Sequence, residues 1–172
     1  GQEFNQAGID AITHAYLSDK RGEEIGRYGL GFKSVLAVTD NPQVFSRSVS
    51  FHFGAPEAHA ILTEIGAREN ELPILRLPTV MNALEAINED ATLQELTEWA
   101  STVVRLPLQQ HVELEEQLLA FQTQFLIFTP HVEKLSITIR RNDTQREIEH
   151  SCRSIGQSSY ELQGPGLGTQ KW

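Results

Sequence analysis

Residues 134–153, KLSITIRRNDTQREIEHSCR, carry the alternation of apolar and polar side chains that a β-hairpin requires. The alternation covers residues 135–141 and 146–153, and a spacing of two places every second side chain on one face of a sheet. The residues NDTQ between the two stretches are typical of a turn. We therefore predict two antiparallel strands here, and SSYELQ, residues 158–163, is a candidate third strand.

The preceding segments predict further helices and strands. Apolar residues recur at intervals of three and four over residues 4–16, which predicts an amphipathic helix. FKSVLAV, residues 32–38, predicts a short buried helix, and VELEEQLLAFQTQFLIF predicts a long helix from Val112. Residues 48–53 and 101–108 are candidate strands, the second ending where Pro107 lacks a backbone donor. Helices mixed with strands and followed by a hairpin favour an α+β sandwich, with a mostly antiparallel sheet, over a doubly wound parallel sheet.

The charge balance argues against some classes of partner. The chain has 14 basic and 23 acidic residues and a net charge of −9, which disfavours general binding to nucleic acid or to an anionic membrane. Nine of the acidic residues fall within residues 54–98, where Arg68 and Arg76 are the only basic ones. We expect this segment to form helices with solvated acidic faces. No stretch approaches the ~20 apolar residues of a membrane span.

Length and cysteine content limit the architecture further. A chain of 172 residues fits one domain, which we expect to cover residues 1–163, with a flexible glycine-rich tail over residues 164–172. Cys152 is the only cysteine, which excludes an internal disulfide and favours a reducing, cytoplasmic compartment. The six histidines show no HxxxH or HExxH spacing, so we assign no metal ligand and no catalytic residue.

IGRYGLGFKSV, residues 25–35, is the stretch with the clearest functional content. Glycines allow a backbone to approach a phosphate closely, and amides at the start of a helix can donate to its oxygens. The spacing fits neither the P-loop nor the GxGxxG fingerprint. Four basic residues lie between positions 20 and 33, although the chain as a whole is acidic: Lys20, Arg21, Arg27 and Lys33. Spacing alone leaves two interpretations open, a phosphate-binding loop and an ordinary flexible surface loop.

A family resemblance favours the first interpretation. Residues 18–46, SDKRGEEIGRYGLGFKSVLAVTDNPQVFS, resemble the nucleotide-lid segment of the GHKL ATPases (gyrase, the ninety-kilodalton heat-shock chaperones, histidine kinases and MutL). The likeness is greatest to the chaperone-like branch that includes sacsin and Morc proteins. It consists of S-x-K, then I-G-x-[FY]-G-x-G-F-K-S-V, then a T-D-x-P turn, and it covers residues 1–53 well and the rest loosely. The resemblance implies a two-layer α/β sandwich of the histidine-kinase-like, Bergerat type.

The resemblance also implies roles for individual residues in binding ATP. The lid, residues 18–33, should cover the phosphates, with amides around Gly29, Gly31 and Phe32 as donors and with Lys20 and Lys33 as charge partners. STVVRLPL resembles the G-T-x-[VI] strand that contacts the adenine side in this family, with Ser101 in place of the glycine. Thr102 is therefore a candidate for that contact, and an ordinary strand threonine is the alternative. The complete set of predicted binding residues is Ser18, Lys20, Gly26, Arg27, Tyr28, Gly29, Leu30, Gly31, Phe32, Lys33 and Thr102.

Other parts of a GHKL site find no counterpart in these residues. The family uses an upstream helix with a Glu as general base and an Asn as Mg²⁺ ligand, and a D-x-G-x-G-like turn whose Asp binds the adenine amino group. If Gly1 is the glycine of that turn, Phe4 takes the place of the apolar residue beneath the base. We therefore expect an N-terminally truncated fragment of an ATP- and Mg²⁺-binding domain, with weak or no ATP hydrolysis by these residues alone.

The resemblance leaves two functional alternatives open. The first is an ATPase domain whose lid closure is coupled to homodimerisation or to a downstream domain of the same polypeptide. The second is a non-catalytic regulatory or protein-interaction domain of the same fold, with the acidic residues 54–98 as its interaction surface.

Overall fold

The chain folds into two compact units in the computed structural model, which describes residues 3–13, 31–66, 76–156 and 158–171. Unit 1 is Gly1–Val112 and unit 2 is Glu113–Trp172. Each unit has a four-stranded sheet in which all strand pairs are antiparallel. This arrangement confirms the predicted α+β class with antiparallel sheets. Among the described helices, none has the length and apolar character needed to cross a membrane.

Unit 1 is built around a sheet with the strand order β3-β2-β1-β4. Pairing of β1 with β4 sets Val44 opposite Val104 and Ser46 opposite Thr102. The elements of this unit are α1 (Gln6–Thr13), a 3-10 helix (Phe32–Ala37), β1 (Gln43–Ser46), β2 (Ser50–His52), α2 (Ala55–Glu64), β3 (Thr79–Val80), α3 (Ala83–Glu89), α4 (Ala91–Trp99) and β4 (Thr102–Arg105).

One side of this sheet, which we call the front face, carries Val44, Ser46, Phe51 and Thr102. These residues share a face because side chains alternate along a strand and paired residues point the same way. Val44, Phe51 and Phe53 are at most 1% exposed and form the core of the face. Apolar residues of α1, of the first 3-10 helix and of the adjoining loops pack against them: Phe4, Ile9, Ile12, Phe32, Leu36 and Val49. The amphipathic helix predicted within residues 4–16 is confirmed as α1, whose described part ends at Thr13.

The opposite, back face of the sheet is joined to α4 by an ion pair. Arg105 points to this side because it alternates with Val104, and its Nη2 lies 3.3 Å from Asp90 Oδ2. Asp90 also caps α4, since its Oδ1 accepts the backbone N–H groups of Thr92 and Leu93 at 3.0 Å each. A single residue thus ends α3, begins α4 and ties that helix to β4.

Unit 2 is an antiparallel meander with the strand order β5-β6-β7-β8. Arg141 pairs with Thr144, so the β5–β6 turn consists of Asn142 and Asp143, with Asn142 in the left-handed region at φ 48°. Buried Leu126, Cys152 and Leu162 form the core. The elements are α5 (Glu115–Leu119), a second 3-10 helix (Thr123–Phe128), β5 (Lys134–Arg141), β6 (Thr144–Gly156), β7 (Ser159–Gly164) and β8 (Gly168–Lys171).

The long helix predicted from Val112 is wrong. The structure has the five-residue α5, three residues outside any helix, and then the second 3-10 helix. The Phe121 ring packs against His150 with 5.1 Å between ring centroids, and the Thr123 hydroxyl is hydrogen-bonded to the same imidazole. Residues two apart on an α-helix point about 200° apart. Both contacts therefore require the chain to leave the helical conformation between these residues.

Two further segments differ from the sequence expectations. The strand expected over residues 101–108 contains only Thr102–Arg105. Residues 164–172 were expected to form a flexible tail, but Gly168–Lys171 pairs with β7 as β8. Glycines make this possible, because Gly166 (φ 72°) and Gly168 (φ 60°) supply the left-handed conformations of the tight β7–β8 connection.

Candidate functional site

Four of the predicted binding residues lie in the part of the chain that the structure describes: Gly31, Phe32, Lys33 and Thr102. The remaining seven lie outside the described residues: Ser18, Lys20, Gly26, Arg27, Tyr28, Gly29 and Leu30. The described part of the candidate site therefore consists of the end of the lid and the sheet that follows it.

Gly31 is exposed and immediately precedes the first 3-10 helix. Its φ of −57° and ψ of −51° are right-handed helical values that any residue adopts. A Cβ at this position would meet nothing within 4 Å. The described fold therefore does not require glycine at position 31. A ligand that approached the backbone closely would require it, because a Cβ would be in the way. Ser34 closes the turn by donating its hydroxyl hydrogen to the Gly31 carbonyl at 2.7 Å.

Phe32 attaches the end of the lid to the core of unit 1. Its ring lies 5.9 Å from that of Phe53, centroid to centroid, on the front face. Leu36, one turn later, packs against the same cluster. The neighbouring Lys33 is half-buried. The lid therefore ends at an aromatic anchor on the front face.

Thr102 reaches the same face from β4. Its hydroxyl donates to the hydroxyl of Ser46, directly opposite on β1, with 3.3 Å between the oxygens. Ser46 and Val44 are two residues apart on one strand and point the same way. The structure thus brings Thr102 and Phe32 to one sheet face, although the two residues are far apart in the sequence.

Phe4 joins this arrangement through its backbone. Its N–H donates to Ser46 Oγ at 3.0 Å, and its carbonyl accepts a hydrogen bond from the Ser48 hydroxyl. The Phe4 ring packs edge-on against Phe51, with 5.8 Å between centroids. Phe4 and Thr102, the residues that the resemblance places beneath and beside the base, are therefore both bonded to Ser46.

Sequence reasoning did not identify Ser46 or Ser48. One signal for Ser46 was available, since it occupies a position of β1 that faces the core, two residues after Val44, where an apolar residue is expected. A polar side chain at such a position needs partners. Its partners are Phe4 and Thr102, which are separated from it by 42 and 56 positions in the sequence. No local pattern reveals contacts between residues so far apart.

Unit 2 contains a separate buried polar cluster. His150 is 3% exposed, and its Nδ1 lies 2.8 Å from Thr123 Oγ1. Burial lowers the pKa of His150 below its usual range, because a charged imidazolium would lose its hydration. His150 and Gly164 border a cleft of about 260 Å³, whose rim carries Lys134 and Glu149. Glu149 raises the pKa of the exposed Lys134 by accepting its hydrogen bond.

The described residues offer no grouping of three or more histidine, cysteine or acidic side chains able to hold a metal ion. Burial raises the pKa of the Cys152 thiol, so this cysteine is held in its unreactive, protonated form.

Comparison with known proteins identifies one family. The family model of the Sacsin domain matches residues 2–152, which is most of the chain and includes residues 18–33, the front face, β5 and β6 as far as Cys152. Neither the curated proteins nor the solved structures gave a significant match. The predicted relationship to sacsin is confirmed, and the chain belongs to the sacsin domain family.

Proposed function

We propose that this sacsin-family chain carries the lid and the base-side strand of a GHKL-type nucleotide site, and that it binds ATP with Mg²⁺ there. The lid residues Ser18, Lys20, Gly26, Arg27, Tyr28, Gly29, Leu30, Gly31, Phe32 and Lys33 would contact the phosphates, and Thr102 would contact the base. The motif S-x-K…I-G-x-Y-G-x-G-F-K-S-V followed by T-D-x-P supports this assignment.

The convergence of Phe4 and Thr102 on Ser46 is the observation that carries the proposal. The resemblance assigns both residues to the adenine end of the site, and each donates a hydrogen bond to the Ser46 hydroxyl. The lid residue Phe32 packs against the core of the same sheet face. A nucleotide bound at the β4 edge of the front face would have its base near Thr102 and its phosphates toward the lid.

The expected chemistry of these residues is binding and orientation. Backbone amides and lysines of the lid would neutralise phosphate charge, and hydrogen bonds at the base would select adenine. The resemblance assigns the general base and the Mg²⁺ ligand to an upstream helix. Mg²⁺ bound with the nucleotide would add to the neutralisation of phosphate charge.

Calorimetric titration with a non-hydrolysable ATP analogue and Mg²⁺ tests the proposal. We expect saturable binding by the full-length protein and a weakening of about tenfold in Thr102→Val, which keeps the shape of the side chain but removes its hydroxyl. Thr138→Val is the matched control, since Thr138 is an exposed threonine of β5 in unit 2. Absence of binding heat from the full-length protein would refute the proposal.

The interaction-domain alternative has one supporting observation. Leu84 on α3 and Trp99 on α4 are each 72% exposed within the acidic helical segment. Exposed apolar side chains on acidic helices suit a partner that is both basic and apolar. The titration distinguishes the alternatives, since this one predicts no nucleotide binding.

A further inference from the structure

Two serines at and just after the end of β1 connect distant segments of unit 1. Ser46 is the last residue of β1 and Ser48 lies in the turn to β2, and their hydroxyls contact Phe4, two residues before α1, and Thr102, the first residue of β4. The pairing of β1 with β4 uses backbone groups and does not need the serine side chains. The side-chain bonds are therefore an additional connection between distant segments.

The hydroxyl of Ser46 uses its complete hydrogen-bonding capacity. A serine hydroxyl has one hydrogen and two lone pairs. Ser46 Oγ accepts from the Phe4 N–H at 3.0 Å and from the Thr102 hydroxyl at 3.3 Å. It donates to the Ser101 carbonyl at 3.3 Å, and Ser48 Oγ lies at the same distance. A fully used hydroxyl fixes the direction of each partner, because any rotation breaks a bond.

Ser48 completes the hold on Phe4. With the Phe4 carbonyl bonded to Ser48 and its N–H to Ser46, both backbone groups of this residue are held by one turn. The next residue, Asn5, immediately precedes α1 and caps it, since its side chain accepts from the Gly8 N–H at 2.9 Å and its carbonyl from the Ile9 N–H at 3.1 Å. Displacement of the turn would therefore move the start of α1.

We propose that Ser46 is a positioning residue that sets the nucleobase selectivity of the site. It acts by orienting the Thr102 hydroxyl and by fixing the Phe4 backbone relative to it. This inference rests on the proposed function, because it assumes that a base binds beside Thr102. It adds a residue for which the family resemblance implies no role, and it predicts that Ser46 affects recognition of the base and leaves contacts to the phosphates intact.

Selectivity between two bases is the measurement that separates positioning from general destabilisation. Calorimetry on the full-length protein compares non-hydrolysable ATP and ITP analogues, which share phosphates and ribose and differ at the 6-position of the purine. Loss of overall fold would weaken both ligands equally. We expect Ser46→Ala to reduce the preference for the adenine ligand about fivefold, the effect of one misplaced hydrogen bond.

Three further variants complete the test. Ser46→Thr keeps the hydroxyl and should restore the preference to within about twofold. Ser46→Ala combined with Thr102→Val should lose no more selectivity than Thr102→Val alone, because the two residues act through one hydroxyl. Ser136→Ala, which removes an exposed hydroxyl of β5 in unit 2, is the control and should leave the preference unchanged.

The outcomes are distinguishable. If the unaltered protein binds and Ser46→Ala keeps its preference for adenine, the positioning role is wrong and the proposed function stands. Equal weakening of both ligands in Ser46→Ala would also overturn the positioning role. If the unaltered protein binds neither ligand, the proposed function fails, and the positioning role fails with it.

Discussion

His150 on β6 and Thr123 on the second 3-10 helix share a hydrogen bond that is closed to solvent, with 2.8 Å between Nδ1 and Oγ1. Both side chains are 3% exposed. The bond joins the helix to the sheet across the core of unit 2. Because each partner would be unsatisfied without the other, its loss would cost more than an exposed hydrogen bond.

Gly164 on β7 is the residue that leaves room for this bond. A Cβ at position 164 would lie 2.2 Å from Thr123 Oγ1 and 2.9 Å from His150 Nδ1. We expect Gly164→Ala to lower the free energy of unfolding of unit 2 by about 1–3 kcal/mol, because Thr123 has to move away from His150. Denaturant unfolding followed by circular dichroism measures the change.

Gly156→Ala is the matched control for that substitution. Gly156 is also a strand glycine of unit 2, and a Cβ there would meet nothing within 4 Å. We expect its effect to stay below about 0.5 kcal/mol. If both substitutions destabilise unit 2 equally, lack of space beside Thr123 and His150 is not the reason for a glycine at position 164.

Burial of His150 makes the stability of unit 2 depend on pH. The native pKa of His150 is lowered by burial, whereas the unfolded chain has the ordinary value near 6.5. Between the two values only the unfolded state binds the proton, so stability falls as the pH falls through this window. It is flat above pH 6.5, where both states are neutral, and the slope is at most about 1.4 kcal/mol per pH unit.

The groups that face His150 belong to several elements. Thr123 approaches from the 3-10 helix and the Phe121 ring edge-on from the preceding residues, whereas Lys134 and Glu149 lie on the other face of the sheet because strand residues alternate. The imidazole resonances followed by NMR report the native pKa directly. His131→Gln, at an exposed position, is the control and should leave the pH dependence of unfolding unchanged. A native His150 pKa at or above 6.5 would contradict this account.

The β5–β6 hairpin and α1 could be predicted from the sequence because each has a periodic signal within its own residues. Strand alternation in residues 135–141 and helical spacing in residues 4–16 are local properties. The break before Thr123 could not be predicted in this way. It depends on His150, which lies 27 residues later and requires Phe121 and Thr123 to face the same side.

The candidate site, too, could be predicted from the sequence only in part. The motif around the lid identified a family and marked Phe32, and the likeness of STVVRLPL to a strand of that family marked Thr102, which the structure brings to the same sheet face. It did not reveal that Ser46 connects Thr102 to Phe4, because this contact is defined by sheet register rather than by spacing in the sequence. Predicted roles of the lid residues before Gly31 lie outside the described residues and stay predictions.

Asp90 combines two functions whose contributions can be separated. It caps α4 through Thr92 and Leu93 and pairs with Arg105 at 3.3 Å. We expect Asp90→Ala to lower the free energy of unfolding of unit 1 by about 1–2 kcal/mol, mostly through loss of the cap. Asp90→Asn keeps an acceptor for the cap and removes only the charge, so its cost should be below about 1 kcal/mol. Equal losses in the two variants, measured by denaturant unfolding, would mean that the ion pair rather than the cap dominates.

Phe32 is the described lid residue with the most extensive packing, and its removal tests whether the end of the lid depends on the front face. Its ring packs on Phe53 within the cluster that includes Val44. Because the ring is half-buried, we expect Phe32→Ala to lower the free energy of unfolding of unit 1 by about 2 kcal/mol. Phe128→Ala is the control, since that ring is 68% exposed and its removal should cost less than about 0.5 kcal/mol. If both substitutions have the same effect on denaturant unfolding, Phe32 does not anchor the lid. If Phe32→Ala alone is destabilising, the lid ends at a fixed point of the core, and any ligand-dependent movement has to arise in the residues before it.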